Sequence, residues 1–104
     1  MEEQDLIQDE YATKDLYLAA FLQVKNMVIK KLEQYSRQGE GWNPVYFIFT
    51  NCEECDKLES IFWSGSSDEI WVNVKDYLVA IRNLKARASS VTRLARRRGA
   101  SLDI

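Results

Sequence analysis

Apolar residues along the chain fall into two kinds of pattern, helical stripes and unbroken strand-like runs. Leu16, Ala19, Ala20, Phe21 and Val24 recur at helical spacing, with Thr13 placed to cap that helix and Asp15 placed to complement its dipole. Its end is ambiguous. Leu16, Ala20, Val24, Met27, Val28, Leu32 and Tyr35 sustain one helical stripe through Tyr35, yet Val28, Ile29 and Tyr35 also suit a strand after a turn at Asn26. The segment SRQGEGWNP holds two glycines, an asparagine and the only proline, the clearest loop in the chain. VYFIF follows as a continuous strand-length run. Asn51 and Glu54 form a capping-box pair that opens a helix carrying Cys55, Leu58, Ile61 and Phe62, and Gly65 closes it. After the loop GSSDE, the residues Ile70, Trp71, Val72 and Val74 predict a short strand. From Lys75 a long helix is expected, with Tyr77, Ala80, Ile81, Leu84, Ala88, Val91 and Ala95 on one face. Ser89, Ser90 and Thr92 weaken its later turns, because their hydroxyls compete for backbone hydrogen bonds. There is no internal repeat.

Composition narrows the class. The chain has 104 residues, 46% apolar and 29% charged, the balance of a folded single domain and not of a disordered chain. No stretch approaches the roughly 20 apolar residues of a membrane span, and the acidic opening MEEQDLIQDE lacks the features of a signal peptide, so a cytoplasmic protein without a membrane partner is expected. Charge is more informative in its distribution than in its net value of −2. Residues 1–74 carry six Lys and Arg against fourteen Asp and Glu, and residues 75–104 carry eight against two. The ends therefore differ in sign, which points to an anionic partner for the basic end or to charge cancellation within the chain. This divides the sequence into a mobile acidic arm over 1–12, a single domain over 13–88, and a basic helix end and tail over 89–104.

The stretches YATKDLYLAAFL, VYFIF, FWSG and VNVKDYLVAIRNLKAR together resemble a small family of uncharacterised single-domain proteins of bacteria, archaea, phages and mobile elements. The resemblance covers roughly 11–87. Its most recognisable pieces are Asp15, Leu16, Ala19 and Ala20 in the first helix and Tyr77, Ala80, Arg82, Leu84 and Lys85 in the last. Similar members have a glycine near Asn26 and an apolar strand after it. The resemblance therefore implies a helix followed by a hairpin. With that, the pattern of elements along the chain predicts an α+β domain in which a three-stranded sheet with a β-hairpin is packed by three helices, including a long C-terminal helix. It implies no activity. The two cysteines and the Arg-rich tail lie outside its motifs.

Three chemistries compete for the chain. Arg82, Lys85 and Arg87, followed by Arg93, Arg96, Arg97 and Arg98, lay a cationic strip along the last helix, and guanidinium groups suit phosphates through permanent charge and bidentate geometry. Weak, non-specific binding of nucleic acid by a non-enzymatic accessory protein, of phage or mobile-element origin, is the leading expectation. The same charges also complement a helix dipole or a neighbouring acidic surface. Trp42, Tyr46, Phe47, Phe49, Trp63 and Trp71 are candidate stacking platforms, although most aromatics pack in cores; Trp42, beside the loop glycines, is the one expected at the surface. On a strand, Tyr46 and Ile48 fall on one face and Val45, Phe47 and Phe49 on the other. The second expectation is a protein-interaction module or inhibitor that uses its acidic face. The third is a thiol oxidoreductase at Cys52 and Cys55, whose Cys-x-x-Cys spacing at a helix start is similar to a thioredoxin-like site. Glu53, Glu54 and Asp56 oppose a thiolate there, and no proline follows Pro44 to pack on a disulfide. With no histidine in the chain, His-based acid/base or nucleophilic pairs and His-containing zinc sites are excluded, and two cysteines alone do not complete a zinc shell unless a dimer pools four. Neither a metal nor a cofactor is expected.

Overall fold

The computed structural model describes residues 9–34 and 44–102, and for 95–102 the backbone only. Strand β1 (Tyr11–Thr13) leads into helix α1 (Leu16–Val24), then come β2 (Ile29–Gln34), β3 (Val45–Phe49), α2 (Cys52–Ser64), a 3-10 turn (Asp68–Ile70) and the long α3 (Val74–Leu102). The three strands form one antiparallel sheet in the order β1-β3-β2. This is the α+β fold expected from the pattern, three helices on a three-stranded sheet whose β2 and β3 form the hairpin.

Asn26 decides where α1 stops. Its φ of 72° lies in the left-handed region, which asparagine and glycine enter at low cost and which no helix can continue through. The chain then turns into β2, opposite to the reading of one helix through Tyr35.

Three expectations need correction. The cap of α1 is Asp15, not Thr13: the Asp15 carboxylate accepts from the backbone N–H groups of Tyr17 and Leu18 at 2.9 and 3.0 Å, while the Thr13 hydroxyl accepts from the Asp15 N–H. The third strand is not at Ile70–Val74. There the Ser67 hydroxyl accepts from the Glu69 N–H to start a 3-10 turn, and the Asn73 side chain accepts from the Asp76 N–H to start α3, so flanking caps take a stretch rich in strand formers into other structure. The third strand is instead β1, whose Tyr11 and Ala12 fall within the stretch read as an arm. Residues 1–8 lie outside the described residues.

The core gathers on one face of the sheet. Phe47 and Phe49 from β3, Tyr11 from β1, Leu18 to Leu22 from α1, Cys55 and Leu58 from α2, and Ala80 and Leu84 from α3 form one buried cluster. Register places Tyr11 and Ile29 opposite Phe49, and Thr13 and Leu32 opposite Phe47, with a bulge between Ile29 and Lys31. Ile48, on the other face, is also only 3% exposed, so neither face of β3 offers bare aromatic surface at its centre. Asn51, itself left-handed with φ 64°, caps α2 by accepting from the Glu54 N–H, and Gly65 ends α2 with φ 65°, as the capping-box and C-cap patterns predict. Among the described residues no helix is long and apolar enough to cross a membrane.

Candidate functional site

Helix α3 buries one stripe and displays the rest. Ala80 and Leu84 are buried, and Tyr77, Ile81, Ala88, Val91 and Thr92 are half-buried, a stripe that rests on α1 and the sheet. At about 100° per residue, the direction opposite this stripe carries Lys75, Arg82 and Arg93, flanked by Lys85, and all four are exposed. Arg87 is exposed too but lies on the other flank of the buried stripe, where it borders a groove of about 620 Å³ with Val24, Asp76 and Asn83. The fold thus brings together three of the expected cations and adds Lys75, which the heptad spacing to Arg82 signals. It sets Arg87 apart. Arg96, Arg97 and Arg98 continue the helical backbone through Leu102, their side chains outside the described residues, as is Trp42 altogether.

The ion pairs among the described residues are Lys30 with Glu10, Lys31 with Glu33 at 3.3 Å, and Lys57 with Glu54 at 3.9 Å. None involves α3. Arg93 instead donates to the hydroxyl of Ser90 at 3.3 Å, one turn back along its own helix.

On the opposite flank from Arg87 a second pocket, of about 220 Å³, opens where the start of α1, the start of β3 and α3 meet. Lys14 and Lys85 line it together with Leu16, Pro44, Val45 and Thr92. Lys85 therefore belongs both to this pocket and to the cationic face. Lys14 carries no signal in the sequence, because only tertiary packing brings it beside α3.

A family model described as a domain of unknown function (DUF5659) matches residues 8–90. The chain belongs to this family. The DUF5659 match spans the sheet, α1, α2 and α3 as far as Ser90, and leaves Arg93 and Arg96 to Arg98 beyond it. Comparison with curated proteins and with solved structures gave no match.

The cysteines of this DUF5659 chain are free, and both are held as thiols at neutral pH. Cys55 is fully buried in the core, and burial, followed by the neighbouring Cys52 and Asp56, pushes its pKa up to about 11; its thiol donates to the Thr50 carbonyl at 3.6 Å. Cys52 is half-buried and also raised, first by burial and then by Asp56, whose carboxylate accepts from its thiol at 3.6 Å. Exchange chemistry begins from a thiolate, and this environment disfavours one at either position. Among the described residues no group of three or more Cys, Asp or Glu side chains is arranged to hold a metal ion. Of the remaining aromatics Trp63 and Trp71 are exposed, at 63% and 76%, whereas Phe47 and Phe49 are core.

Proposed function

We propose that this DUF5659 protein is a small non-enzymatic accessory protein that binds nucleic acid through the outward face of α3, using phosphate contacts with little sequence selectivity. One observation carries the reading: Arg82, Lys85 and Arg93 stand exposed on α3, and among the described residues no carboxylate pairs with them. An overall charge of −2 does not oppose it, since charges on opposite sides of a domain are screened over a Debye length of about 10 Å at 0.1 M salt. The resemblance to proteins of bacteria, archaea, phages and mobile elements is compatible with an accessory role, and such a ligand implies a cytoplasmic location.

The test is binding of labelled single- and double-stranded DNA and RNA, followed by fluorescence anisotropy over a range of salt. Five phosphate contacts on a single strand give a log–log salt slope of about −3.5, a loss of about hundredfold between 50 and 200 mM salt. Truncation after Ser90 removes Arg93 and the three arginines of 96–98 and flattens that slope; combined with Arg82→Gln it leaves little binding. Affinity and slope unmoved by both changes would remove the proposal.

A protein partner is the second reading. Trp71, Val74 and Leu78 are exposed in succession beside the exposed Asp68 and Glu69, an acidic and apolar surface at the start of α3. That reading calls for a companion that stays bound after nuclease treatment and is released by Trp71→Ala.

A further inference from the structure

The pocket at Lys14 and Lys85 has a composition the cationic face alone does not explain. One part of its wall is two ammonium groups; the rest is largely apolar, with Leu16, Pro44 and Val45. Both lysines are exposed, and neither takes part in an ion pair among the described residues. The nearest carboxylate in sequence, Asp15, is occupied by the backbone N–H groups of Tyr17 and Leu18 at the start of α1. The Thr92 hydroxyl completes the wall and accepts from the Gln34 side-chain amide at 3.5 Å.

Its volume of about 220 Å³ falls below the roughly 300 to 1,000 Å³ of pockets that hold a whole small molecule. A pocket of this size suits one unit of a longer ligand held elsewhere as well. Lys85 links it to Arg82 and Arg93, so the remainder of that ligand lies along α3. The unit must be anionic on one side and apolar on the other, the chemistry of a nucleotide, whose phosphate seeks ammonium groups and whose base seeks apolar surface. A duplex keeps its bases stacked and paired and has no free base to offer; an unpaired strand does.

We infer that this pocket seats one nucleotide of a single-stranded nucleic acid, its phosphate between Lys14 and Lys85 and its base against Leu16, Pro44 and Val45. The inference rests on the proposed nucleic-acid role and adds a preference to it: single strands over duplexes. Lys14 is the diagnostic residue, because it serves the pocket without belonging to α3, whereas Arg82 serves the cationic face without lining the pocket.

The experiment measures anisotropy of a fluorescein-labelled ten-nucleotide single strand and of a ten-base-pair duplex with the full-length protein, Lys14→Gln and Arg82→Gln, each over a salt series. Thermal melts confirm that the variants, both at exposed positions, are folded. Lys14→Gln is expected to weaken the single strand about three- to fivefold and to flatten its salt slope by about 0.7, leaving the duplex unchanged. Arg82→Gln is expected to weaken both ligands alike. Amide resonances of Lys14, Leu16 and Thr92 shift on titration with the single strand and not with the duplex. If Arg82→Gln weakens both ligands while Lys14→Gln weakens neither, or weakens both equally, the pocket assignment falls and the broader function stands. If the unmodified protein binds neither ligand, both fall. If an acidic peptide binds in a Lys14-dependent way and the single strand does not, the pocket is a protein site and the inference is overturned.

Discussion

Tyr11→Phe isolates the side-chain hydrogen bond that ties β1 to α2. The Tyr11 ring is 8% exposed and meets Phe49 edge-on, centroids 6.5 Å apart at 63°, while its hydroxyl donates to the Glu59 carboxylate of α2. Removing the hydroxyl keeps the ring and deletes one hydrogen bond to a charged acceptor, worth about 1.5 to 3 kcal/mol. Glu59 is only half-buried and regains water once the partner is gone, which lowers the expected cost to about 1 to 1.5 kcal/mol. In a domain of this size that is a fall in Tm of roughly 4 to 12 °C. Tyr11→Ala loses the buried ring as well and should cost about 3 to 5 kcal/mol. Urea titrations read both values, and an unchanged m-value for Tyr11→Phe shows that the same surface unfolds. Burial and Glu59 raise the Tyr11 pKa, so the phenol stays a donor and the Tyr11→Phe penalty should be the same at pH 7 and pH 9. A Tyr11→Phe protein as stable as the parent, with Tyr11→Ala costing no more, would refute the placement of β1 in the core and return the segment to a loose arm.

Two further outcomes follow from the same geometry. Cys55, whose pKa of about 11 in the fold exceeds its unfolded value, stabilises the fold fully below about pH 8.5 and progressively less as pH rises toward 11; Cys55→Ala should therefore lose less stability over that window than the parent, and in the parent a thiol reagent should label the half-buried Cys52 slowly but Cys55 only on unfolding, with equal labelling of the two in the native state contradicting the buried assignment. Asn26, at φ 72°, should accept glycine with unchanged or slightly higher stability and lose about 1 to 2 kcal/mol as valine, measured by thermal melts, and a neutral Asn26→Val would mean the helix runs on through this position.

How far the sequence exposes this fold depends on what kind of signal each element leaves. Helices α2 and α3 are legible because caps and period agree: Asn51 with Glu54, Gly65, and an apolar stripe from Tyr77 to Val91. The boundary of α1 is not, because side-chain period runs smoothly through a site where the backbone changes hand, and one asparagine is all that marks it. β1 has three residues, too few for alternation to appear, and is recruited by pairing with β3. Ile70 to Val74 has strand-like composition, but Ser67 and Asn73 cap it from either side. The cationic face is legible because it is local to one helix, whereas Lys14 joins the site only through tertiary packing.

The same packing explains why an acidic protein can present a basic surface. Among the described residues, six carboxylates of the first three quarters are engaged close to home: Asp15 by the amides of α1, Glu10 by Lys30, Glu33 by Lys31, Glu54 by Lys57, Glu59 by Tyr11, and Asp56 by the Cys52 thiol. The Asp15 contact caps α1, those of Glu10 and Glu59 tie separate parts of the chain together, and those of Glu33, Glu54 and Asp56 lie within one strand or helix. Helix α3 then attaches through apolar residues and through the Tyr77 hydroxyl, which donates to the Tyr17 carbonyl at 3.0 Å, and it brings no carboxylate of its own beyond Asp76 among the described residues. Arg82, Lys85 and Arg93 are exposed on it, and none of them is in an ion pair among the described residues. Charge segregation in the sequence becomes, on α3, a set of exposed cations, and the proposed anionic ligand depends on Arg82, Lys85 and Arg93 standing clear of the six engaged carboxylates.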